Sequence, residues 1–265
     1  MTVAATTFDP RTTLARPDLA EQALEGLVRA RTYRAVRPMH CAVPVAALRA
    51  GADVSSEQVD ELIYGEAFDM LEARGEVVWG RARRDGLVGW IPASALSTGA
   101  PAPTHMITSP SAALPLNALV VERVEGVMDT ELTPVGRFES DPVAVAERLL
   151  GVPHRLGARS SVATDCSGLI QQALYACGRP GPRHADQQAG LGASVARFDA
   201  ARGDLVVWLA LAGDHAWTGH SAFMLADGQV LHATGHHGAV VIEDFDEADA
   251  RYRADGFSPP VFRRL

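Results

Sequence analysis

The chain has 265 residues, 47% of them hydrophobic, enough for one large core or for two to three small ones. Its 24 basic residues, all arginine, are outnumbered by 32 acidic ones, and the net charge of −8 argues against a nucleic-acid or anionic-membrane partner. Three cysteines (Cys41, Cys166, Cys177) make no disulfide framework and show no zinc-ligand spacing. No run reaches membrane-span length, and the first residues lack the basic and apolar regions of a signal peptide, so a soluble cytoplasmic protein with reduced thiols is expected.

In chain order, residues 17–31 read as an amphipathic helix. Pro17 fits its first turn, and Leu19, Ala23, Leu24, Leu27 and Val28 share a face. Residues 1–34 are therefore expected to form a helical arm. Over 35–99 the period shortens. Leu62 to Glu72 reads as two strands broken at Gly65. Val77 to Ala82 and Leu87 to Pro92 read as a hairpin joined across Arg84-Asp85-Gly86. Several short strands in this span suggest a small β-barrel. Ala100-Pro101-Ala102-Pro103 has linker composition, and Val120 to Gly126 suggests strands of a shorter second module, or a linker, within 100–140. From Asp141 the pattern is helical to Leu150, with Asp141 as cap and Gly151 as stop. A second helix starts at Cys166, capped by Asp165, and ends before Gly178. Strands follow at Asp204 to Leu209, Gly219 to Leu225, Gln229 to Ala233 and Val240 to Glu243. Helix first and antiparallel strands after make 141–265 an α+β domain.

The chemistry concentrates at Asp165-Cys166-Ser167-Gly168. A cysteine in the first turn of a helix meets unpaired backbone N–H groups and the positive end of the helix dipole, which favour a thiolate. Such a thiol is a nucleophile if a histidine serves it. Cys177, eleven residues on, lies roughly 16 Å away along the same helix, too far for a disulfide.

His220 and His232 lie on two strands joined across Ala226-Asp227-Gly228. A two-residue loop would turn the histidines to opposite faces. A three-residue loop with Gly228 in the left-handed region pairs Leu225 with Gln229, sets His232 opposite Ala222, and brings His220 to the same face. The odd-length loop is expected, with His232 as hydrogen-bond acceptor for the imidazole of His220. Five histidines lie between 215 and 237, yet no His-Glu-x-x-His or equivalent frame accompanies them, so neither a metal nor another cofactor is expected.

Five motifs occur in a telling order: Arg159-Ser160-Ser161, Asp165-Cys166-Ser167-Gly168-Leu169-Ile170-Gln171, Arg202-Gly203-Asp204-Leu205-Val206, Gly219-His220 and Leu231-His232-Ala233. Over 141–265 the chain resembles the NlpC/p60-type cysteine peptidases of bacterial cell-wall metabolism. Tyr64-Gly65-Glu66-Ala67-Phe68 and Val88-Gly89-Trp90-Ile91-Pro92 resemble the bacterial SH3-like modules that precede this peptidase in one subgroup. The resemblance implies a papain-like α+β domain, with an SH3-like barrel over 35–99 walling one side of the cleft. It implies Cys166 as nucleophile, His220 as base and His232 as orienting residue. The implied substrate is a murein-derived peptide cut between γ-D-glutamate and a diamino acid during cytoplasmic recycling. Glu66, Asp165, Ser167, Arg183 and His184 are the candidate substrate-binding residues. Two stretches depart from the family pattern. Pro153-His154-Arg155-Leu156-Gly157-Ala158-Arg159 stands for Pro-Tyr-Leu-Trp-Gly-Gly-Arg, and Pro182-Arg183-His184-Ala185 for Pro-Arg-Asp-Ser. An amidase or acyltransferase on the same acyl-cysteine, or a non-catalytic peptide-binding protein built on the SH3-like half, are the alternatives.

Overall fold

The structure is a computed structural model and describes residues 8–121, 124–211 and 218–265. The chain divides after Pro103 into two compact units.

In the first unit, β1 (Leu19–Glu21) and β2 (Thr32–Arg34) form a short parallel pair. Seven strands then build one antiparallel sheet: β3 (Arg37–Cys41), β4 (Val45–Arg49), β5 (Gln58–Ile63), β6 (Ala67–Arg74), β7 (Val77–Ala82), β8 (Val88–Pro92) and β9 (Leu96–Thr98). Their order is β5-β4-β8-β7-β6-β3-β9. All seven strands send side chains into a single core that includes Cys41, Leu48, Leu62, Phe68, Val78, Ile91 and Leu96, so the sheet rolls onto itself. The Asp-Gly turn is a hairpin, with Arg81 opposite Val88 and Gly86 at φ +84°.

The helical arm expected over 17–31 is not there. That stretch holds β1, one turn of 3-10 helix (Gln22–Leu24) and irregular chain, and Leu27 of the anticipated apolar face is 64% exposed. The reason lies across the sheet. Side chains alternate along a strand, so Trp79 and Trp90, directly paired, point away from the rolled core. Leu14 and Leu19 cover them, and the Arg16 guanidinium lies 4.1 Å from the centre of the Trp79 ring. Burying two indoles outweighs the weak preference of a short isolated helix.

The second unit opens with β10 (His105–Ile107), β11 (Leu119–Val120) and β12 (Leu132–Pro134), a separate sheet of order β11-β10-β12. The strand expected over 120–126 is confined to Leu119–Val120; Glu122 and Arg123 lie outside the described residues, and Gly126 turns the chain at φ +81°. This segment is no free linker. Leu116 enters the main core of the unit, and Asn117, at φ +67°, donates its side-chain amide to the backbone carbonyl of Gln172 at 2.9 Å.

Next come α1 (Pro142–Glu147), α2 (Cys166–Ala176) and the single turn α3 (Ala185–Gln188). Six antiparallel strands include β13 (Ala193–Val195), β14 (Leu205–Leu209), β15 (Gly219–Met224), β16 (Gln229–Thr234) and β17 (Ala239–Asp244). After α4 (Phe245–Ala254), β18 (Val261–Arg264) completes the order β13-β18-β14-β15-β16-β17. Asp141 caps α1 by accepting from Val143 N at 2.9 Å. α1 and α2 pack on the sheet face of Leu205, Val207, Phe223 and Leu231, while α4 packs on the face of Val206, Trp208, Ala222 and Val230. All eleven residues of α2 are buried. A helix this enclosed must satisfy its ends internally. At its C-terminus Gly178, at φ +67°, donates to Tyr175 O and Arg179 N to Leu174 O.

Candidate active site

The start of α2 is built around one carboxylate. Asp165 Oδ1 accepts from Gly168 N at 2.8 Å and Oδ2 from Gly157 N at 2.8 Å. Arg183 closes on both oxygens, Nη1 to Oδ1 at 2.9 Å and Nη2 to Oδ2 at 2.6 Å, and also donates to Ser167 Oγ at 3.0 Å. Burial pushes the Asp165 carboxyl up, but the Arg183 charge and these donors outweigh it and hold it below its ordinary range. Asp165, Ser167 and Arg183 thus bind one another and the adjoining backbone, fixing the chain as it enters the helix. The glycine of the motif is steric. A Cβ on Gly168 would lie 2.5 Å from Ala158 O, because the 157–159 loop crosses directly over this turn.

Cys166 sits in that first turn with 8% of its surface exposed. The backbone N–H groups of Ser221 and Ser167 face its sulfur. They do not make it a thiolate. Burial, reinforced by the Asp165 charge, pushes the thiol up to about 12. The helix-start argument for an ionised sulfur is therefore corrected here: desolvation outweighs the N–H groups.

The histidines come from β15 and β16. Asp227 (φ +59°) and Gly228 (φ +74°) turn the chain, Leu225 N donates to Gln229 O at 2.8 Å, and Phe223 pairs with Leu231. This is the odd-length register. The hydrogen-bonded ladder between the strands ends at the Phe223–Leu231 pair, and His220 and His232 lie just past it. His220 Nε2 is 2.7 Å from His232 Nδ1, with the rings edge to face. His220 also stacks on Tyr252 from α4, ring centres 4.2 Å apart, and the Tyr252 hydroxyl is 2.9 Å from His220 Nε2. The same hydroxyl donates to Thr234 Oγ1 at 3.1 Å. Trp208, fully buried, supports the group from β14, 5.9 Å from the His220 ring.

Behind His232 stands Glu243, its Oε1 2.6 Å from His232 Nε2. Arg251 of α4 donates to both oxygens of Glu243, Nη1 to Oε2 at 3.1 Å. Burial holds His220 well below its ordinary value, and the neighbouring His232 adds to this. Burial lowers His232 as well, with Glu243 opposing. Burial thus shifts the Cys166 thiol and both imidazoles toward their neutral forms. Half-buried His154, from the stretch that departs from the family pattern, is close enough for its charge to act on both rings.

Glu66 belongs to the first unit. Its Oε2 accepts from Ile63 N at 3.0 Å and its Oε1 from Arg84 at 2.9 Å, a 2%-exposed carboxylate holding a turn. His184 caps α3 with its backbone, its carbonyl accepting from Gln188 N at 3.0 Å. Among the histidines considered as metal ligands, His215 lies outside the described residues, and His236 and His237 are exposed at the β16–β17 turn. Sequence reasoning missed Glu243, Arg251 and Tyr252. Glu243 had a signal: with His232 paired to Val241, it is the diagonal neighbour of His232 on one face of adjoining strands. Arg251 and Tyr252 had none, since their helix reaches the site only by packing.

Residues 151–257 match the NlpC/P60 family, and residues 48–96 match the bacterial dipeptidyl-peptidase Sh3 domain. A probable endopeptidase of Corynebacterium glutamicum is 26% identical over 194 residues, 72% of this chain and 82% of that protein. The peptidoglycan endopeptidase RipB of Mycobacterium tuberculosis is 30% identical over 112 residues, 37% of this chain and 44% of RipB, so less than half of that relative is matched. Among solved structures, an NlpC/P60 family protein from Bacillus cereus shares the fold, with a TM-score of 0.72 over 86% of this chain and 99% of that one, at 15% identity.

Proposed function

We infer that this chain, a bacterial SH3-type domain followed by an NlpC/P60 domain, is a cysteine endopeptidase acting on peptides of bacterial cell-wall origin. The endopeptidase relatives support a hydrolase of this kind. The observation that carries the chemistry is the alignment of His220 on His232 at 2.7 Å, on the strand whose Ser221 N–H faces the sulfur of Cys166.

The steps follow from the resting state. A neutral thiol is a weak nucleophile, so its proton must pass to His220 as sulfur attacks the carbonyl carbon. The oxyanion lies toward the Cys166 backbone N–H at the helix start. The tetrahedral species collapses, and the leaving amine takes the proton from the His220 imidazolium. Water, activated by the again neutral His220, attacks the thioester. It releases the carboxylic acid and restores the thiol. In this scheme His232 Nδ1, 2.7 Å from His220 Nε2, takes the acceptor role and holds the ring throughout.

The finer proposal is cleavage between γ-D-glutamate and a diamino acid, in a soluble murein peptide of the cytoplasm. The unbridged state of all three cysteines fits a reducing compartment. Mass spectrometry of a murein-peptide digest incubated with the protein and with Cys166→Ala tests both levels. Expected are products cut at that bond with the native protein and none with Cys166→Ala. A Cys166→Ala protein that cleaves as well would defeat the mechanism, and products cut at another bond would defeat the specificity. His220→Ala is expected to be inactive and His232→Gln to keep measurable activity; equal loss would reverse the division of roles.

A further inference from the structure

The histidine line extends beyond the two rings named in the mechanism. A carboxylate accepts hydrogen bonds and cannot donate them. With the Glu243 Oε1 charge 2.6 Å from His232 Nε2, although off the line of a hydrogen bond, the tautomer that places the ring proton on Nε2 is the favoured one. The opposite tautomer would leave a nitrogen lone pair, rather than an N–H, within 2.6 Å of a carboxylate oxygen. A neutral His232 protonated at Nε2 has only a lone pair at Nδ1, and that lone pair lies 2.7 Å from His220 Nε2. His220 Nε2 must then carry its own proton, and Nδ1 is its one basic nitrogen.

Resting on the peptidase function inferred above, we propose that Glu243, clamped by Arg251, is a positioning residue: it sets the tautomer of His232 and, through it, that of His220, so that His220 Nδ1 is the base for Cys166. Arg251 holds both carboxylate oxygens, and Glu243 keeps only 10% of its side-chain surface exposed. Burial opposes ionisation of Glu243, but the bonds from His232 and Arg251 outweigh it and keep the carboxyl below its ordinary range. Glu243 therefore remains an acceptor wherever the imidazoles are neutral. When the thiol proton reaches His220 Nδ1, the imidazolium points its Nε2–H at the His232 lone pair. The fixed negative charge of Glu243 stands one ring beyond, and no proton leaves His232. Among the described residues, the charged or titratable groups that act on these rings include His154, His237, Glu243, Arg251 and Tyr252, with Cys166 in reach of Tyr252.

The direct test is the tautomer itself. In protein labelled with 15N-histidine, two-bond proton–nitrogen correlations at about pH 8 report which ring nitrogen bears the proton. Both His220 and His232 are expected as the Nε2–H form; an Nδ1–H form of either ring in the native protein overturns the proposal. Glu243→Gln presents an amide that donates as readily as it accepts. It is expected to admit the Nδ1–H form of His232 and to slow iodoacetamide alkylation of Cys166 at least about tenfold with an altered pH profile. Glu243→Asp is expected to restore much of both. Native tautomers with an unchanged alkylation profile in Glu243→Gln would also overturn it. If Glu243→Gln does not fold, the native-protein spectrum decides. Neither readout needs a peptide. A protein with these tautomers that cleaves no murein peptide would refute the proposed activity and leave this role standing.

Discussion

Two carboxylate–arginine pairs in the second unit are alike in chemistry and differ in what lies at their far end. Asp165 and Arg183 are almost wholly enclosed, with side-chain exposures of 9% and 2%, and the carboxylate finishes on the N–H groups of Gly157 and Gly168. Glu243 and Arg251 are more open, at 10% and 20%, and the carboxylate finishes on an imidazole. Backbone N–H groups do not titrate. An imidazole does, and it passes its hydrogen-bond polarity to the next ring. The first pair can only fix geometry, whereas the second can also set where a proton sits.

The largest effect should come from breaking the enclosed pair. Arg183→Met leaves Asp165 buried without its cation, a loss expected at about 3–5 kcal/mol in urea unfolding. A loss under about 1 kcal/mol would mean that the two pairs do not differ as described. Gly168→Ala attacks the same corner sterically: its Cβ would meet the Ala158 carbonyl, which is backbone and cannot swing aside. About 1–3 kcal/mol of destabilisation is expected, and an unchanged melting temperature would show that the 157–159 loop shifts at no cost.

The two centres should also separate by pH. His220 and His232 are held below their ordinary value of 6.5, so below about that pH the unfolded chain binds more protons and stability falls as pH drops. Asp165 is held below 3.8, so its contribution is complete above that value and is lost only as pH falls through the lower folded value. Urea midpoints taken from about pH 8 to 3 should fall in two stages, and His220→Gln should weaken the upper stage alone. A variant that keeps the upper stage whole would assign it to other groups.

The smallest effect belongs to Tyr252→Phe, which removes the hydroxyl on His220 Nε2 and keeps the stacked ring. A loss of about 1 kcal/mol, a few-fold in kcat/KM, is expected. A drop as large as that of His220→Ala would make the hydroxyl part of the proton path.

How much of this was legible in the sequence depends on range. Local rules determined the caps of α2, the Asp-Gly hairpin of the first unit, and the three-residue loop that brings His220 and His232 to one face. Each depends on sterics and side-chain period within a few residues, which sequence order carries directly. Only the tertiary structure decided the rest. Residues 17–31 gave up a helical pattern because two indoles far along the chain, Trp79 and Trp90, needed cover. Cys166 is shifted toward the thiol because burial and Asp165 outweigh the helix start. Arg251 and Tyr252 reach the site because α4 packs across the sheet from α2. Desolvation and charge pairing are sums over neighbours in space, and no short window of sequence contains those neighbours.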